Sequence, residues 1–316
     1  MSTPDFRDVE ITDVQTTQVD GNYAWTLVRI YTDAGVAGTG EAYWGAGVTD
    51  IVHRLAPVLE GENPCDIDRL YSTMISALSG EGSIGGTPVT AVSGIEIALH
   101  DLAGKLLGVP AYQLLGGKYR DEVRVYCDLH AGEDPDDPES YADEAEAALE
   151  DGWDAIKFDL DVTDSRESRG EWNRHLPDKV VAEKAEIVRA VTDRVGDRAD
   201  VAFDCHWNWT GDTTRRLAAA IEPCDVLWLE DPVPPENHDV QETVTKSTDT
   251  TICAGENVYR KHGTRQLIEE EAVDVIQPDM PKVGGMRETA KIADAADTYY
   301  IPLALPNVSS PLGTAA

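Results

Sequence analysis

Apolar and polar positions alternate along residues 9–19 (VEITDVQTTQV), 25–33 (WTLVRIYTD) and 38–44 (GTGEAYW), and β-branched side chains are frequent there. That is the pattern of half-buried strands. Asp20-Gly21-Asn22 and Asp33-Ala34-Gly35 separate them, so an antiparallel meander is predicted. The period then becomes helical around 47–59, 66–79 and 90–107, and Gly116-Gly117 closes this part. Strands followed by helices make residues 1–118 an α+β domain.

From residue 121 the texture changes to short apolar runs separated by amphipathic segments. The runs are VRVYC (123–127), AIKFD (155–159), DVAFD (200–204), VLWLE (226–230), TICAGE (251–256), DVIQP (274–278) and YYIPLAL (299–305). Between them lie helical patterns such as ESYADEAEAALEDG and PDKVVAEKAEIVRAVTDRVG. Repeated strand–helix units of roughly 25 residues imply parallel strands joined by right-handed crossovers. The fold class is therefore α/β, with residues 119–316 forming a TIM-type β/α barrel. Seven strands leave the barrel one short, with two costly edges. The chain stops at Gly313-Thr314-Ala315-Ala316, where an eighth strand is expected. The barrel thus reads as truncated after strand 7, its C-terminal part missing.

Charge changes the picture more than composition does. The formal net charge is −33, and acidic residues fall within every helical segment as well as in blocks such as EDPDDPES. Lysine is scarce, nine against seventeen arginines. Such a surface repels nucleic acid and anionic membranes, so neither is expected as a partner. An acidic surface spread over the whole chain is read as adaptation to molar salt, where the Debye length shrinks to about 3 Å. Cys65, Cys127, Cys205, Cys224 and Cys253 show no paired or zinc-like spacing, and buried free thiols are expected. No apolar run of about 18 residues suggests a membrane span. No basic-then-apolar leader opens the chain, and a cytoplasmic location is expected. No glycine-rich phosphate loop follows a strand, so no nucleotide cofactor is expected.

In a β/α barrel the chemistry sits where strands end. Those positions hold Lys157 and Asp159, Asp204 with His206, Glu230, Glu256 and Asp279. Asp204, Glu230 and Glu256 end successive strands at separations of 26 and 26 residues. Adjacent strand ends lie about 5 Å apart, so the three carboxylates can converge. Like charges at one point need a cation, and oxygen donors alone select Mg²⁺. Helix capping by acidic residues is the plainer account, but two of the three are Glu, which caps poorly. His206, two residues after Asp204, faces the same side of the strand and is either structural or functional. Lys157 is either a salt-bridge partner or, with a pKa lowered by burial near a metal, a base.

These segments resemble the mandelate racemase branch of the enolase superfamily. The resemblance rests on SGIEIALHDLAGKLLGVPAYQLLGG (93–117), IKFD, FDCH, WLEDPVPPEN, AGEN, IQPDMPKVGG and NVSSPLGT, in order along nearly the whole chain. It implies a capping domain over a modified β/α barrel, with Asp204, Glu230 and Glu256 on Mg²⁺. Asp-x-His at 204–206 is similar to the sugar-acid dehydratases of the superfamily, and there the histidine is the general acid. The implied reaction is dehydration of an aldonate (xylonate, gluconate or galactonate) to its 2-keto-3-deoxy acid. The implied partner is that small sugar acid, and a homo-oligomer is expected because relatives form dimers or octamers. Asp159 stands where racemases carry a second lysine, which speaks against racemisation. Lys157 and Asp159, with Tyr23 and Trp44 from lid loops and Arg260 and His262 after AGEN, are the candidate substrate contacts. Asp279 matches the aspartate that orients a histidine base at the end of strand 7. Here that segment reads Ala304-Leu305-Pro306-Asn307, and no histidine follows His262. The expected base is missing.

Overall fold

A computed structural model describes residues 6–82, 84–162 and 174–316. The alternating runs form a three-stranded antiparallel sheet, β1 (Ile11–Asp20), β2 (Ala24–Thr32) and β3 (Ala37–Ala42). Its apolar face, with Val14, Val28 and Ile30, packs on α1 (Val48–Leu59), α2 (Ile67–Ala77) and α3 (Thr87–Leu107). The closest approach is between β3 and α3. A Cβ on Gly38 would sit 2.2 Å from the Ala98 carbonyl oxygen, and one on Gly40 would sit 2.4 Å from that of Gly94. The Gly-Thr-Gly run in β3 exists for this contact.

The second part holds a six-stranded parallel sheet in sequence order, β4 (Cys127–Leu129), β5 (Ala155–Asp159), β6 (Asp200–Asp204), β7 (Trp228–Glu230), β8 (Ile252–Ala254) and β9 (Val275–Ile276). Helices alternate with the strands: α4 (Pro138–Glu150), α5 (Asp178–Val195), α6 (Gly211–Ile221), α7 (His238–Thr245) and α8 (Arg260–Glu269). They are followed by α9 (Met280–Val283), α10 (Met286–Asp297) and α11 (Pro311–Ala315). Ile156, Phe158, Val201, Phe203, Leu229 and Ile252 pack in the cluster shared with the helices. Ala202, Trp228 and Cys253 pack with Tyr126 and Val275 in a separate, inner cluster. Both faces are covered, which is why the strands read as continuous apolar runs.

The structure shortens five of the seven expected strands, to 228–230, 252–254 and 275–276 within the sheet and most severely in the first and last. Of VRVYC only Cys127 joins the sheet, while Val123 and Val125 are 70 % and 58 % exposed. Of YYIPLAL only Leu303 bridges to Ile276. Both segments lie at the margins of the sheet, where one side of the ladder has no partner. Pro302 and Pro306 have no N–H to give, and Tyr300 turns the chain with φ +58°. All five cysteines are free, but only Cys205 and Cys253 are fully buried; Cys65, Cys127 and Cys224 are half-buried. Among the described residues no helix is long and apolar enough to cross a membrane.

Two buried carboxylates tie the parts together. Glu96 of α3 accepts from Met286 N–H (2.8 Å) and Arg287 N–H (2.9 Å), capping α10 of the barrel. Glu41 of β3 accepts from Ser310 N–H (2.9 Å) and Gly313 N–H (3.0 Å). Each meets the positive end of a helix, where unpaired N–H groups favour an anion. Gly285 makes the first contact possible. Its φ is +90°, and a Cβ there would lie 2.1 Å from Glu96 Oε2. Gly285→Ala should therefore cost about 1–3 kcal/mol through backbone strain, with the displaced cap adding to it. Glu96→Ala should cost about 1–2 kcal/mol through the lost cap alone. Denaturant unfolding of both variants measures this, and a Gly285→Ala protein as stable as the parent would refute the account.

Candidate active site

Strand register builds the site. Asp159 pairs with Asp204 and Asp204 with Glu230, so three carboxylates stand level at the C-terminal ends of β5, β6 and β7. Lys157 lies on the same face as Asp159, one pleat lower, and its sheet neighbour is Ala202. The small alanine leaves room for the long amine. Its Nζ rises between two strands and donates to Asp204 Oδ2 (3.0 Å) and Glu230 Oε1 (2.7 Å). Trp228 Nε1 donates to the other oxygen of Glu230 at 2.8 Å. Cys253, not Glu256, is the neighbour of Glu230 in β8, so Glu256 stands on the turn after that strand. His206 N–H donates to Asp204 Oδ1 (2.9 Å), and its Nδ1 lies 2.8 Å from Asp161 Oδ1. His206 Nε2 is 3.8 Å from Asp159 and 3.7 Å from Asp204.

Burial dominates the electrostatics. Glu230, Asp231 and Glu256 all have raised pKa values, first because burial penalises their charge and then because their acidic neighbours repel it. Asp204 is the exception. Burial raises it, but Lys157 and His206 outweigh that and hold it below the usual carboxylate range. The lowering expected for Lys157 belongs to a site that holds Mg²⁺, and without the ion the balance runs the other way. Burial does push it down, yet Glu230 and Asp204 lift it well above an ordinary lysine. Burial also opposes protonation of His206, but its bond to Asp161 and the charges of Asp204, Asp161 and Asp159 push its pKa up to about 10. The imidazolium is thus the form present at neutral pH.

Among the described residues, the group with all donor atoms within 4.8 Å of one another is Asp159, Asp204 and His206. The expected trio of Asp204, Glu230 and Glu256 is not drawn to that spacing, and Lys157 and Trp228 each hold one oxygen of Glu230. Asp279 is buried next to Glu256, Lys282 and Glu41, and burial followed by its acidic neighbours pushes it up to about 8. Tyr23 stacks on Trp44 (5.7 Å). Tyr23 feels the charges of Asp128 and Asp159, so the β1–β2 turn reaches the mouth of the site. The Arg260 side chain lies close enough to Tyr71 on α2 to influence its hydroxyl. His262 is exposed on the first turn of α8, outside the hydrogen bonds that tie the cluster. Pro306 is buried where a histidine was sought. Sequence reasoning passed over Asp128, His130, Asp161, Asn208 and Trp228. His130 contacts Asp159 Oδ2 (3.2 Å), and Asp161 carries both His206 and Asn208. Their signal was the run Asp128-Leu129-His130 beside Asp159-Leu160-Asp161, acidic and basic residues clustered at two neighbouring strand ends.

Asp279 and His206 bind protons more tightly folded than unfolded. The stabilisation from Asp279 is full below about pH 4 and lost as pH rises through about 8. That from His206 is full below about pH 6.5 and lost as pH rises through about 10. Without divalent cations, thermal stability in molar KCl should fall from pH 6 to 9. Asp279→Asn should flatten the fall below pH 8. Parallel melting profiles for parent and variant would contradict the assignment.

Comparison with known proteins agrees with this architecture. The family description "Mandelate racemase / muconate lactonizing enzyme, N-terminal domain" matches residues 9–116, and "Enolase C-terminal domain-like" matches residues 140–316. The chain is 66 % identical over 311 residues to D-xylonate dehydratase of Haloferax volcanii, a match covering 98 % of this chain and 75 % of that protein. It is 31 % identical over 287 residues to D-galactonate dehydratase of Variovorax paradoxus, covering 89 % and 70 %. A mandelate racemase/muconate lactonizing enzyme-like protein from Rubrobacter xylanophilus superposes with a TM-score of 0.92 at 41 % identity, covering 97 % of this chain and 82 % of that one. Two matched family regions, a shared fold and a strand-end carboxylate cluster together make this chain a member of the mandelate racemase/muconate lactonizing enzyme family of the enolase superfamily.

Proposed function

We propose that this chain dehydrates an aldonate of the xylonate, gluconate or galactonate kind to the 2-keto-3-deoxy acid, with Mg²⁺ as cofactor. The observation that carries the reading is His206, held as an imidazolium at the rim of a buried carboxylate cluster. The names of the similar dehydratases support the same reaction class. A general acid is needed because hydroxide is a poor leaving group, and a proton delivered as the C–O bond breaks lets it leave as water.

The donor set fits a hard divalent cation. Asp204, Glu230 and Glu256 offer only oxygen, and Lys157 already places a positive charge between Asp204 and Glu230. We assign these three carboxylates to the ion. When bound, Mg²⁺ supplies positive charge to a substrate carboxylate and lowers the cost of removing the neighbouring α-proton. The remaining chemistry belongs to the side chains. His206 Nε2 donates to the β-hydroxyl. Asp159 and Tyr23, at the mouth, hold sugar hydroxyls, with Trp44 supporting Tyr23. Lys157 is the candidate base, but only once its two carboxylates are engaged elsewhere, because as arranged they keep it protonated. Asp279 acts on the site through Glu256 and Lys282, since Pro306 offers no titratable group for it to orient.

The test is formation of 2-keto-3-deoxy acid from xylonate, gluconate and galactonate in molar KCl, with and without Mg²⁺. Magnesium-dependent product from at least one aldonate is expected. A folded, Mg²⁺-binding protein that yields none would overturn the proposal in favour of a catalytically impaired relative. His206→Asn should lower kcat by about 10²–10⁴-fold, the usual worth of a general acid. Glu230→Gln should weaken Mg²⁺ binding by at least the ~10–100-fold that losing an outer partner costs. Unchanged affinity by calorimetry would remove Glu230 from the metal set.

A further inference from the structure

Resting on the reading of His206 as general acid, we propose that Asp161 is the positioning residue that holds its ring, fixing the proton on Nδ1 and presenting Nε2 to the site. Asp161 lies two residues beyond the end of β5, while His206 lies two beyond the end of β6. Adjacent parallel strands bring them together although 45 residues separate them.

The contact is specific at both oxygens. Oδ1 lies 2.8 Å from His206 Nδ1, and Oδ2 accepts from the Asn208 side-chain amide. An ionised carboxylate only accepts, so Nδ1 must carry hydrogen. The turn held in this way is strained. His206 and Trp207 have φ values of +41° and +60°, a region that non-glycine residues avoid. Such a conformation persists only where its surroundings over-determine it. Here the Trp207 N–H donates to the Asp231 carbonyl at 2.7 Å and the Asn208 N–H to that of Cys205 at 3.0 Å. Asp161 alone among these partners grips side chains at both ends of the turn, residues 206 and 208. Among the described residues Nε2 has no partner at hydrogen-bond distance; it lies 3.7 Å from Asp204 and 3.8 Å from Asp159, facing the carboxylates.

The arrangement suits one proton transfer. The Nε2–H bond breaks, an O–H bond forms on the departing hydroxyl, and the C–O electron pair leaves with the water. The neutral ring that remains keeps its proton on Nδ1, the tautomer Asp161 already binds. No ring rotation is needed in either direction.

Four variants test this: Asp161→Ala, Asp161→Asn, Asn208→Ala and, as control, His206→Asn. With D-xylonate as probe, Asp161→Ala should lower kcat by about 10–100-fold while KM moves less than about 3-fold. Asp161→Asn should recover part of the loss, because its amide oxygen still accepts from Nδ1. Nitrogen-15 spectra of the His206 ring at neutral pH should show both nitrogens protonated in the parent, with the Nδ1 signal displaced by its bond to Asp161, and that displacement should be lost in Asp161→Ala. Parent kcat and parent ring signals in Asp161→Ala would overturn the proposal. If Asp161→Ala does not fold, parent behaviour in both Asp161→Asn and Asn208→Ala overturns it instead. Undiminished turnover by His206→Asn would instead remove the general-acid reading. If the parent turns over no aldonate, the Nδ1 signal still decides whether Asp161 holds the ring.

Discussion

Everything in the barrel mouth depends on Lys157 lying between Asp204 and Glu230. Buried carboxylates at neighbouring strand ends repel one another and lose their hydration, so a fold that assembles them needs positive charge in the same place. The sheet register forces the assembly, because Asp159, Asp204 and Glu230 are direct neighbours in the ladder. One ammonium bridging two of them, and one imidazolium against the others, is how the folded chain meets that demand by itself. A divalent ion would take over the same oxygens. Lys157 would then lose the two carboxylates that lift its pKa most, leaving burial opposed by Tyr126 and Asp128. On the proposed reading, structural counter-ion and base are two states of one residue, exchanged by what the carboxylates hold.

The same device, a buried carboxylate answered by fixed positive charge, joins the two halves of the molecule. Glu96 and Glu41 reach from the N-terminal part to backbone N–H groups at the starts of α10 and α11. Backbone donors cannot be displaced by ions from solution, so these contacts hold where an exposed ion pair would be screened. They also fix the β1–β2 turn relative to the barrel, aided by Trp25 Nε1 donating to the Val308 carbonyl at 3.1 Å. Tyr23 in that turn can therefore belong to the site although it is far away in sequence.

How much of this was legible in the sequence depended on whether a feature repeats locally. The meander, the three helices and the cores of β5 and β6 followed from periodicity, and the strand-end carboxylates followed from those strands. The marginal strands were overread because a strand needs neighbours that its own sequence does not record. Val123 and Val125 have the composition of a strand and no ladder to join. Asp161 stands in an acidic run that the sequence does show, but that run does not name its partner. Its role comes from the left-handed turn at 206–207, and nothing in Cys205-His206-Trp207-Asn208 announces positive φ. The lowered pKa expected for Lys157 presupposes Mg²⁺ on the carboxylates; without the ion, the pair that register brings within about 3 Å raises it instead. Arg260 was placed by proximity in sequence to AGEN, whereas its side chain turns to Tyr71.

Outside and inside the barrel, charge obeys different rules. A surface at −33 repels an anionic sugar acid at low ionic strength, and molar salt removes that barrier by cutting the field to within about 3 Å. The site cannot rely on salt in this way, because Glu230 is fully buried and Asp204 nearly so. There the balance is set by Lys157, His206 and whatever cation the carboxylates hold. An acidic protein can thus capture an acidic substrate: bulk salt removes repulsion during approach, and discrete buried cations provide attraction on arrival. The two functions are carried by separate residues, so surface acidity can increase without disturbing the chemistry.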